Sequence, residues 1–321
     1  MVRTWGAFVL WVAASCGAAL ALAFASSLAI DPYGYLGLRG NHQVAILPER
    51  LITVVRASNQ SFDSAIIGNS VAAPLLPADL SHLTGARFVS LSISGSGPKA
   101  QLAVLEFFLR RHAAARSIVL AMDDSWCYAS PTTFKEWRPF PFWLYGDMAG
   151  YLAGLARNTS IALLLSPFEP REKGEIDNRQ PFPMASMPKY NDVAWMTQSL
   201  VRDRPAEAEN KTHQYSAVDE LLSRLRRSSV AFVLVWTPRY LNFIPKVGSQ
   251  AEVSDMECKS ALASGVAILP NVRVLNWSGE ERADNHDPMN FYDQIHYRAP
   301  LAQRIEADIA RTLEALAGER R

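Results

Sequence analysis

The stretch SAIIGNS, residues 64–70, is the first of several short segments that together predict the fold of this chain. It is a short apolar run that ends in a turn at Gly68. Similar runs stand at FVSLSIS (88–94), SIVLAM (117–122), VAFVLVW (230–236) and VRVLNW (272–277). Short runs of apolar and β-branched residues, closed by turn formers, predict buried strands.

Helical patterns alternate with these strands. They are KAQLAVLEFFLRRH (99–112), DELLSRLRRS (219–228), ECKSALASGVAIL (257–269) and APLAQRIEADIARTLEAL (299–316). The last of them carries an apolar stripe at Leu301, Ile305, Ile309, Leu313 and Leu316, with charged residues opposite. Strand–helix alternation of this kind predicts an α/β fold, in which a parallel sheet has helices on both faces.

Composition narrows the classes of protein to consider. The chain has 321 residues, 49% of them hydrophobic, which is enough for one large domain or two small ones. Its 32 basic and 31 acidic residues give a formal net charge of +1, with no block of like charge. We therefore expect no nucleic-acid partner.

The N-terminal segment is long and apolar. From Trp5 to Ile30 the chain carries no charge over 26 residues, and about 20 apolar residues suffice to cross a bilayer as a helix. Arg3 precedes the run, so we expect the tail to stay in the cytoplasm and the rest of the chain to be exported. A cleavable signal peptide ending near Ala23-Phe24-Ala25 is the alternative. We favour an uncleaved anchor because the run exceeds the usual length of a signal peptide.

These signals predict a single-pass protein of the cytoplasmic membrane. We expect a cytoplasmic tail (1–4), a transmembrane signal anchor (5–30), a juxtamembrane linker (31–60) and an extracytoplasmic domain (61–321) with irregular insertions at 126–145 and 166–215. The first insertion is dense in aromatic residues and prolines. It could be a surface loop packed on itself or a platform for a substrate.

Three cysteines occur, without C-x-x-C spacing. Cys16 lies in the apolar segment, which leaves Cys127 and Cys258 as candidates for one disulfide. We favour the simpler interpretation, two separate buried thiols.

The stretch FYDQIHYRAP, residues 291–300, places Asp293 three residues before His296. A carboxylate at this spacing can hold one ring nitrogen of the imidazole and leave the other free to act as a base. Ser70 is its candidate partner, because it follows the first predicted strand on a tight turn, where its N–H can also help to hold an oxyanion. Ser70 alone would fit a helix N-cap equally well, and the Asp–His pair favours the catalytic interpretation.

Three motifs together carry a resemblance to a known family: Gly68-Asn69-Ser70, Ser94-Gly95-Ser96-Gly97 and Asp293-Gln294-Ile295-His296. In this order the chain resembles the SGNH (GDSL-like) hydrolase superfamily. The phrases DPYGY, IIGNS, SLSISGSG and FYDQIHYR are similar to the membrane-anchored branch that accompanies polysaccharide O-acetylation, as in alginate acetylation, or D-alanylation of cell-wall polymers.

The resemblance implies an SGNH-like (flavodoxin-like) three-layer fold and a set of site residues. Ser70, His296 and Asp293 would form a catalytic triad, and the N–H groups of Ser70 and Gly95 would hold the oxyanion. The chain departs from the family at Asn69, where an Asp is usual.

A second departure follows the third predicted strand. Asp123 and Asp124 stand where the family offers an Asn side chain to the oxyanion, which a carboxylate would repel. Asp123 and Asp124 could instead bind a substrate hydroxyl or cap a helix. The candidate substrate contacts are therefore Asn69, Asp123, Asp124 and Trp126.

The resemblance implies a membrane-anchored, extracytoplasmic serine esterase or O-acyltransferase acting on a polysaccharide, with no cofactor and with a membrane-bound partner that delivers the acyl group. The alternatives are a non-catalytic subunit that binds glycan or assembles an envelope system, and a plain exported esterase. An α/β-hydrolase would need G-x-S-x-G, but Ala72 stands at the second Gly position. We expect no metal site, because an Asn-His-Asp-Pro turn accounts for His286 and Asp287.

Overall fold

The structure is a computed structural model that describes residues 2–37, 49–127, 139–158, 187–202 and 215–319. The helices among them are α1 Val2–Ile30, α2 Glu49–Ser58, α3 Pro77–Thr84, α4 Pro98–Arg111, α5 Met148–Asn158, α6 Val193–Leu200, α7 Ser216–Leu225, α8 Gln250–Val266 and α9 Ala299–Gly318. The strands are β1 Ser64–Ile67, β2 Phe88–Ser90, β3 Ser117–Met122, β4 Ala231–Trp236 and β5 Val272–Asn276. The described residues fall into two compact units, one with residues up to 59 and 141–158, the other with the sheet and residues 187–319.

The five strands form one parallel sheet in the order β2-β1-β3-β4-β5, which is the flavodoxin-like order. Every residue of β1, β3 and β4 is buried, as expected for central strands covered on both faces. β5 is partly exposed because it lies at an edge. The predicted α/β fold with a parallel sheet is confirmed.

Helices cover both faces of this sheet. On one face α3 and α9 share a core with Ile66, Val119 and Val233. The predicted stripe of α9 faces that core, and all its members are buried: Leu301, Ile305, Ile309, Leu313 and Leu316. α4 packs on β1 and against α7, which packs against α8. Because side chains alternate along a strand, the intervening residues of β1, β3 and β4 point to this second helical layer.

The other unit contains α1, α2 and α5. Within α1, residues Trp5–Ile30 are long and apolar enough to cross a membrane. Of residues 31–60, predicted as a linker, the structure describes 31–37 and 49–60: Tyr33 and Tyr35 are buried and α2 occupies Glu49–Ser58. Tyr35 stacks on Tyr151 with ring centroids 4.0 Å apart, and the hydroxyl of Tyr145 donates to the carbonyl oxygen of Arg50 at 2.6 Å. These aromatic contacts show that the described parts of this segment are packed within their unit.

Cys127 and Cys258 form a disulfide, so the preference for two separate thiols was wrong. The bond joins the segment after β3 to α8, and the two Cα atoms are 5.7 Å apart. The spacing in sequence gave no sign of this pairing, because 131 positions separate the cysteines and the fold alone brings them together. Disulfides persist in oxidising compartments, which agrees with the predicted export of this unit.

Alkylation under denaturing conditions would count the free thiols. Without reductant we expect one adduct, on Cys16, and after reduction three, one for each cysteine. Protein isolated from membranes and analysed by intact mass would show this difference. The Cys127→Ser variant is the control and should give two adducts without reductant, on Cys16 and Cys258. Three adducts on the unreduced wild type would contradict the disulfide.

Glu306 is a buried carboxyl group on α9, only 1% exposed. Its Oε1 accepts a hydrogen bond at 2.5 Å from the backbone N–H of Leu76, directly before α3. Burial raises the pKa of Glu306 to about 8, helped by the charge of Asp79 and opposed by the Leu76 N–H. The folded chain therefore holds this proton across a pH range in which the unfolded chain has released it.

The contribution of Glu306 to the stability of the sheet-bearing unit should therefore fall as the pH rises. The folded-state pKa of Glu306 lies above the unfolded value of 4.5, so its contribution is complete below that value and is lost as the pH rises towards about 8. Glu306→Gln keeps an acceptor for Leu76 and cannot ionise. In thermal unfolding, we expect the melting temperature of the variant minus that of the wild type to be several degrees larger at pH 9 than at pH 5.

Glu314→Gln is the matched control, because Glu314 lies exposed on the same helix. Its melting temperature should differ from that of the wild type by the same amount at both pH values. A Glu306→Gln difference that stays constant with pH would contradict a raised pKa.

Candidate active site

The segment with Asp293 and His296 is a short loop pinned by two buried aromatic residues. Phe291 and Tyr297 pair as an isolated antiparallel bridge, and both are fully buried. The N–H of Tyr292 donates to the carbonyl oxygen of His296 at 2.8 Å, which closes the loop. The Asp–His pair is therefore held at the tip of a loop whose base lies in the core, directly before α9.

Ser70, His296 and Asp293 form a continuous hydrogen-bonded chain. His296 Nε2 lies 2.9 Å from Ser70 Oγ, and His296 Nδ1 lies 2.7 Å from Asp293 Oδ2 and 2.9 Å from Oδ1. A total of 226 positions separate the serine from the histidine in sequence. Each contact is within the reach of a nucleophile, its base and the group that orients the base.

Asp293 is held in its ionised form. Burial opposes this charge, but the hydrogen bond and charge of His296, with the backbone N–H of Ile295, outweigh burial and hold the pKa of Asp293 at about 2. Asp293 Oδ1 accepts from the N–H groups of Ile295 and His296 at 3.0 and 2.9 Å. A fixed carboxylate holds the proton on His296 Nδ1, which leaves Nε2 free to accept the proton of Ser70.

The turn that presents Ser70 depends on a glycine. A Cβ at Gly68 would lie 2.7 Å from the Cβ of Ala72 and 2.8 Å from the carbonyl oxygen of Ala121, so only Gly fits between β1 and β3 there. Asn69 then caps the short 3-10 turn Ser70–Ala72, because its side-chain oxygen accepts from the N–H of Val71 at 3.1 Å.

Two backbone N–H groups are available near the nucleophile. Ile93 donates to the carbonyl oxygen of Gly68 at 3.0 Å, which brings the turn with Gly95 beside the turn with Ser70. Gly95 has φ 65°, a conformation that favours glycine. Within the described residues the N–H groups of Ser70 and Gly95 donate no hydrogen bond. They are therefore suited to bind a developing negative charge.

Asn69 and Asp123 bind each other rather than facing outward. The Nδ2 of Asn69 donates to Asp123 Oδ2, and Asp123 Oδ1 accepts from the N–H and the hydroxyl of Ser125. Burial of Asp123 and the nearby charge of Asp124 raise the pKa of Asp123, against these three donors. The pair joins the turn after β1 to the turn after β3, which is a structural role at the edge of the site.

Asp124 lies near a buried cationic group at the carboxyl end of β4. Arg239, 3% exposed, donates from Nη1 to Asp255 at 3.1 Å, and Lys259 contacts the same carboxylate at 2.5 Å. Burial disfavours the charged guanidinium, but the carboxylates of Asp255 and Asp124 outweigh burial and raise the pKa of Arg239. Asp124 is thus balanced by a fixed positive charge.

Trp126, named as a candidate substrate contact, lies in the protein interior. Its side chain has no exposed surface, and Nε1 donates to Gln101 Oε1 at 3.1 Å in the interior. The aromatic density of segment 126–145 therefore partly reflects core packing beside the disulfide. Residues 128–138 of that segment lie outside the described residues.

Tyr190 was missed by sequence reasoning. Its hydroxyl donates to Asp293 Oδ2 at 2.9 Å and lies 3.1 Å from His296 Nδ1. It belongs to the 3-10 turn Pro188–Asn191, within the segment 166–215 that was predicted to be irregular. No motif surrounds it, so only the three-dimensional arrangement could reveal it. Residues 166–186 and 203–214 of that segment lie outside the described residues.

His286, Asp287 and the nearby Asp284 are held by contacts within the protein. His286 Nε2 contacts the carbonyl oxygen of Glu280 at 2.7 Å, Asp284 pairs with Arg304, and Asp287 caps a 3-10 turn. Among the residues that the structure describes, no group of three or more His, Cys, Asp or Glu side chains could hold a metal ion.

Comparisons of the chain with known protein families, curated proteins and solved structures identify no relative. No family model matches the chain, and neither a curated protein nor a solved structure matches it.

Exchanging Asn69 and Asp123 tests their mutual hydrogen bond. Asn69→Asp alone sets two carboxylates against each other. Asp123→Asn alone sets an amide N–H₂ against donors from Asn69 or Ser125. Each single variant should lose about 1–3 kcal/mol of unfolding free energy, and the double variant should regain most of it. Denaturant titration of the four proteins would show this. Losses that simply add in the double variant would contradict a direct interaction.

Proposed function

We propose that this chain is a membrane-anchored, extracytoplasmic serine esterase or O-acyltransferase of the SGNH type that acts on an exported or cell-envelope polysaccharide. The observation that carries the proposal is the contact of His296 Nε2 with Ser70 Oγ at 2.9 Å, continued from Nδ1 to Asp293 at 2.7 Å. A role of Ser70 as a helix N-cap would not explain why an oriented imidazole contacts its hydroxyl, whereas a catalytic role does.

The first half of the reaction forms an acyl-enzyme. His296 Nε2 takes the proton of Ser70 as Oγ attacks the carbonyl carbon of the acyl donor, and the N–H groups of Ser70 and Gly95 receive the charge on the carbonyl oxygen. The imidazolium, stabilised by Asp293, then gives its proton to the leaving group. Asp293 stays ionised throughout, in keeping with its pKa of about 2.

The second half transfers the acyl group. His296 removes a proton from an incoming hydroxyl, which attacks the acyl-Ser70 ester, and the proton then returns to Ser70 Oγ. A glycan hydroxyl as acceptor gives a transferase and water gives an esterase. We favour the glycan, because the apolar segment Trp5–Ile30 would keep the chain near a membrane-bound partner that delivers acyl groups.

Two further features support this assignment. The sheet has the flavodoxin-like order, which the SGNH resemblance implies. The resemblance expects an Asp at position 69 and an Asn after β3. This chain has Asn69 and Asp123 at these positions, and the two side chains bind each other, so the two departures from the family pattern compensate in one hydrogen bond.

Two independent signals support an extracytoplasmic location for the triad. Arg3 before the apolar segment favours a cytoplasmic tail, and the bond between Cys127 and Cys258 favours an oxidising compartment for the sheet-bearing unit. We therefore place the triad outside the cytoplasm.

A serine-directed fluorophosphonate probe tests the triad in the full-length protein purified in detergent. We expect labelling of the wild type and none of Ser70→Ala or His296→Ala. Asp293→Asn should reduce the labelling rate by roughly 10⁴-fold, less than loss of the nucleophile or the base, because Asp293 orients and does not react.

Ser223→Ala is the control, because Ser223 lies exposed on α7, and it should label like the wild type. An unlabelled wild type would contradict an activated serine and would favour the non-catalytic, glycan-binding alternative.

With an activated acyl ester as donor, added oligosaccharide should divert product from free acid to acylated sugar. Free acid alone would indicate a plain esterase.

A further inference from the structure

Among the residues that the structure describes, Tyr190 contacts both members of the Asp–His pair through its side chain. It is 4% exposed, and its hydroxyl oxygen lies 2.9 Å from Asp293 Oδ2 and 3.1 Å from His296 Nδ1. The carboxylate is thereby surrounded: Oδ1 accepts from two backbone N–H groups, and Oδ2 accepts from the imidazole and from the phenol. Tyr190 supplies the only one of these contacts that comes from outside the loop Phe291–Tyr297.

The position of the phenol is set by contacts independent of the triad. The ring of Tyr190 lies 5.0 Å from the ring of Tyr292 and 5.6 Å from that of Trp195, centroid to centroid. Lys189 Nζ lies 4.6 Å from its centroid, and the ring also packs with Ala73, three residues after Ser70. A side chain held on several sides can in turn hold the group that it binds.

The electrostatics fix the direction of the hydrogen bond. Burial and the negative charge of Asp293 raise the pKa of Tyr190, so the phenol keeps its proton and donates it. The same hydrogen bond helps to lower the pKa of Asp293. Because Tyr190 stays neutral, no phenolate competes with the Asp293 carboxylate for the imidazole. The buried ring also limits the access of water to this side of the carboxylate.

We propose that Tyr190 is a positioning residue of the triad, which holds the Asp293 carboxylate against His296 Nδ1 and shields that contact from water. This inference rests on the proposed function, because it assigns a role within the same site. Segment 187–202 thereby takes part in the active site, although it lies outside every motif found in the sequence.

Tyr190→Phe in the full-length protein removes the hydroxyl and keeps the ring with its aromatic contacts. We expect the fluorophosphonate labelling rate at the pH optimum to fall about tenfold, as for the loss of one hydrogen bond to a charged group. The acidic limb of the rate–pH profile should move to higher pH. A carboxylate that has lost a donor holds the protonated imidazole more strongly, and the protonated form cannot accept the proton of Ser70.

Tyr292→Phe is the matched control. Tyr292 belongs to the same aromatic cluster, but its hydroxyl makes no hydrogen bond to Asp293 or His296. It should keep the wild-type rate and pH profile. Equal effects in the two variants, or an unchanged acidic limb in Tyr190→Phe, would overturn the proposal.

A second measurement separates this inference from the proposed function. In protein with ¹⁵N-labelled histidine, the Nδ1 proton of His296 should give a far-downfield ¹H resonance, because it is shared with a carboxylate. Tyr190→Phe should shift that resonance and speed its exchange with water, whereas Tyr292→Phe should leave it unchanged. If the wild type does not react with the fluorophosphonate probe but the NMR difference is seen, the esterase and acyltransferase proposal is wrong and the positioning role of Tyr190 stands. A resonance unaffected by Tyr190→Phe would overturn that role.

Discussion

The parallel pairing of β1 with β3 is the constraint on which the rest of the site depends. Both strands are buried along their whole length, and the polar side chains of the site lie beyond their carboxyl ends. Strand order reverses at this pair, because β2 adds on one side of β1 and the later strands add beyond β3. Ligands of open α/β sheets bind at such a point, and Ser70 and Asp123 both follow these strands.

Apolar packing holds the base in place. The loop with His296 leads directly into α9, and α9 packs against α3, which follows the turn with Ser70. The turn with the nucleophile and the loop with the base thus lead into two helices that share one core with the sheet. The short distance between Ser70 and His296 is therefore set by buried leucine and isoleucine side chains, with no need for a strong interaction between the catalytic groups themselves.

Features with a local pattern could be predicted from the sequence. The strands, α9 with its stripe and the Asp–His pair were all found, because period, turn residues and short spacing express their structure directly. The disulfide, the hydrogen-bonded pair Asn69 and Asp123, and Tyr190 are long-range contacts with no local pattern. The burial of Trp126 could not be predicted for a related reason, since an aromatic residue after a strand looks the same in sequence whether it faces solvent or the core.

The disulfide has a topological consequence for the site. Cys127 and Cys258 close the intervening chain, including β4, α6 and Tyr190, into a covalent ring. Ser70 lies on the N-terminal arm of that ring and His296 on the C-terminal arm. A backbone cut anywhere inside the ring would open it but leave both arms bonded to each other. Nucleophile and base would still belong to one molecule, whose two polypeptide pieces come apart only in the presence of a reductant.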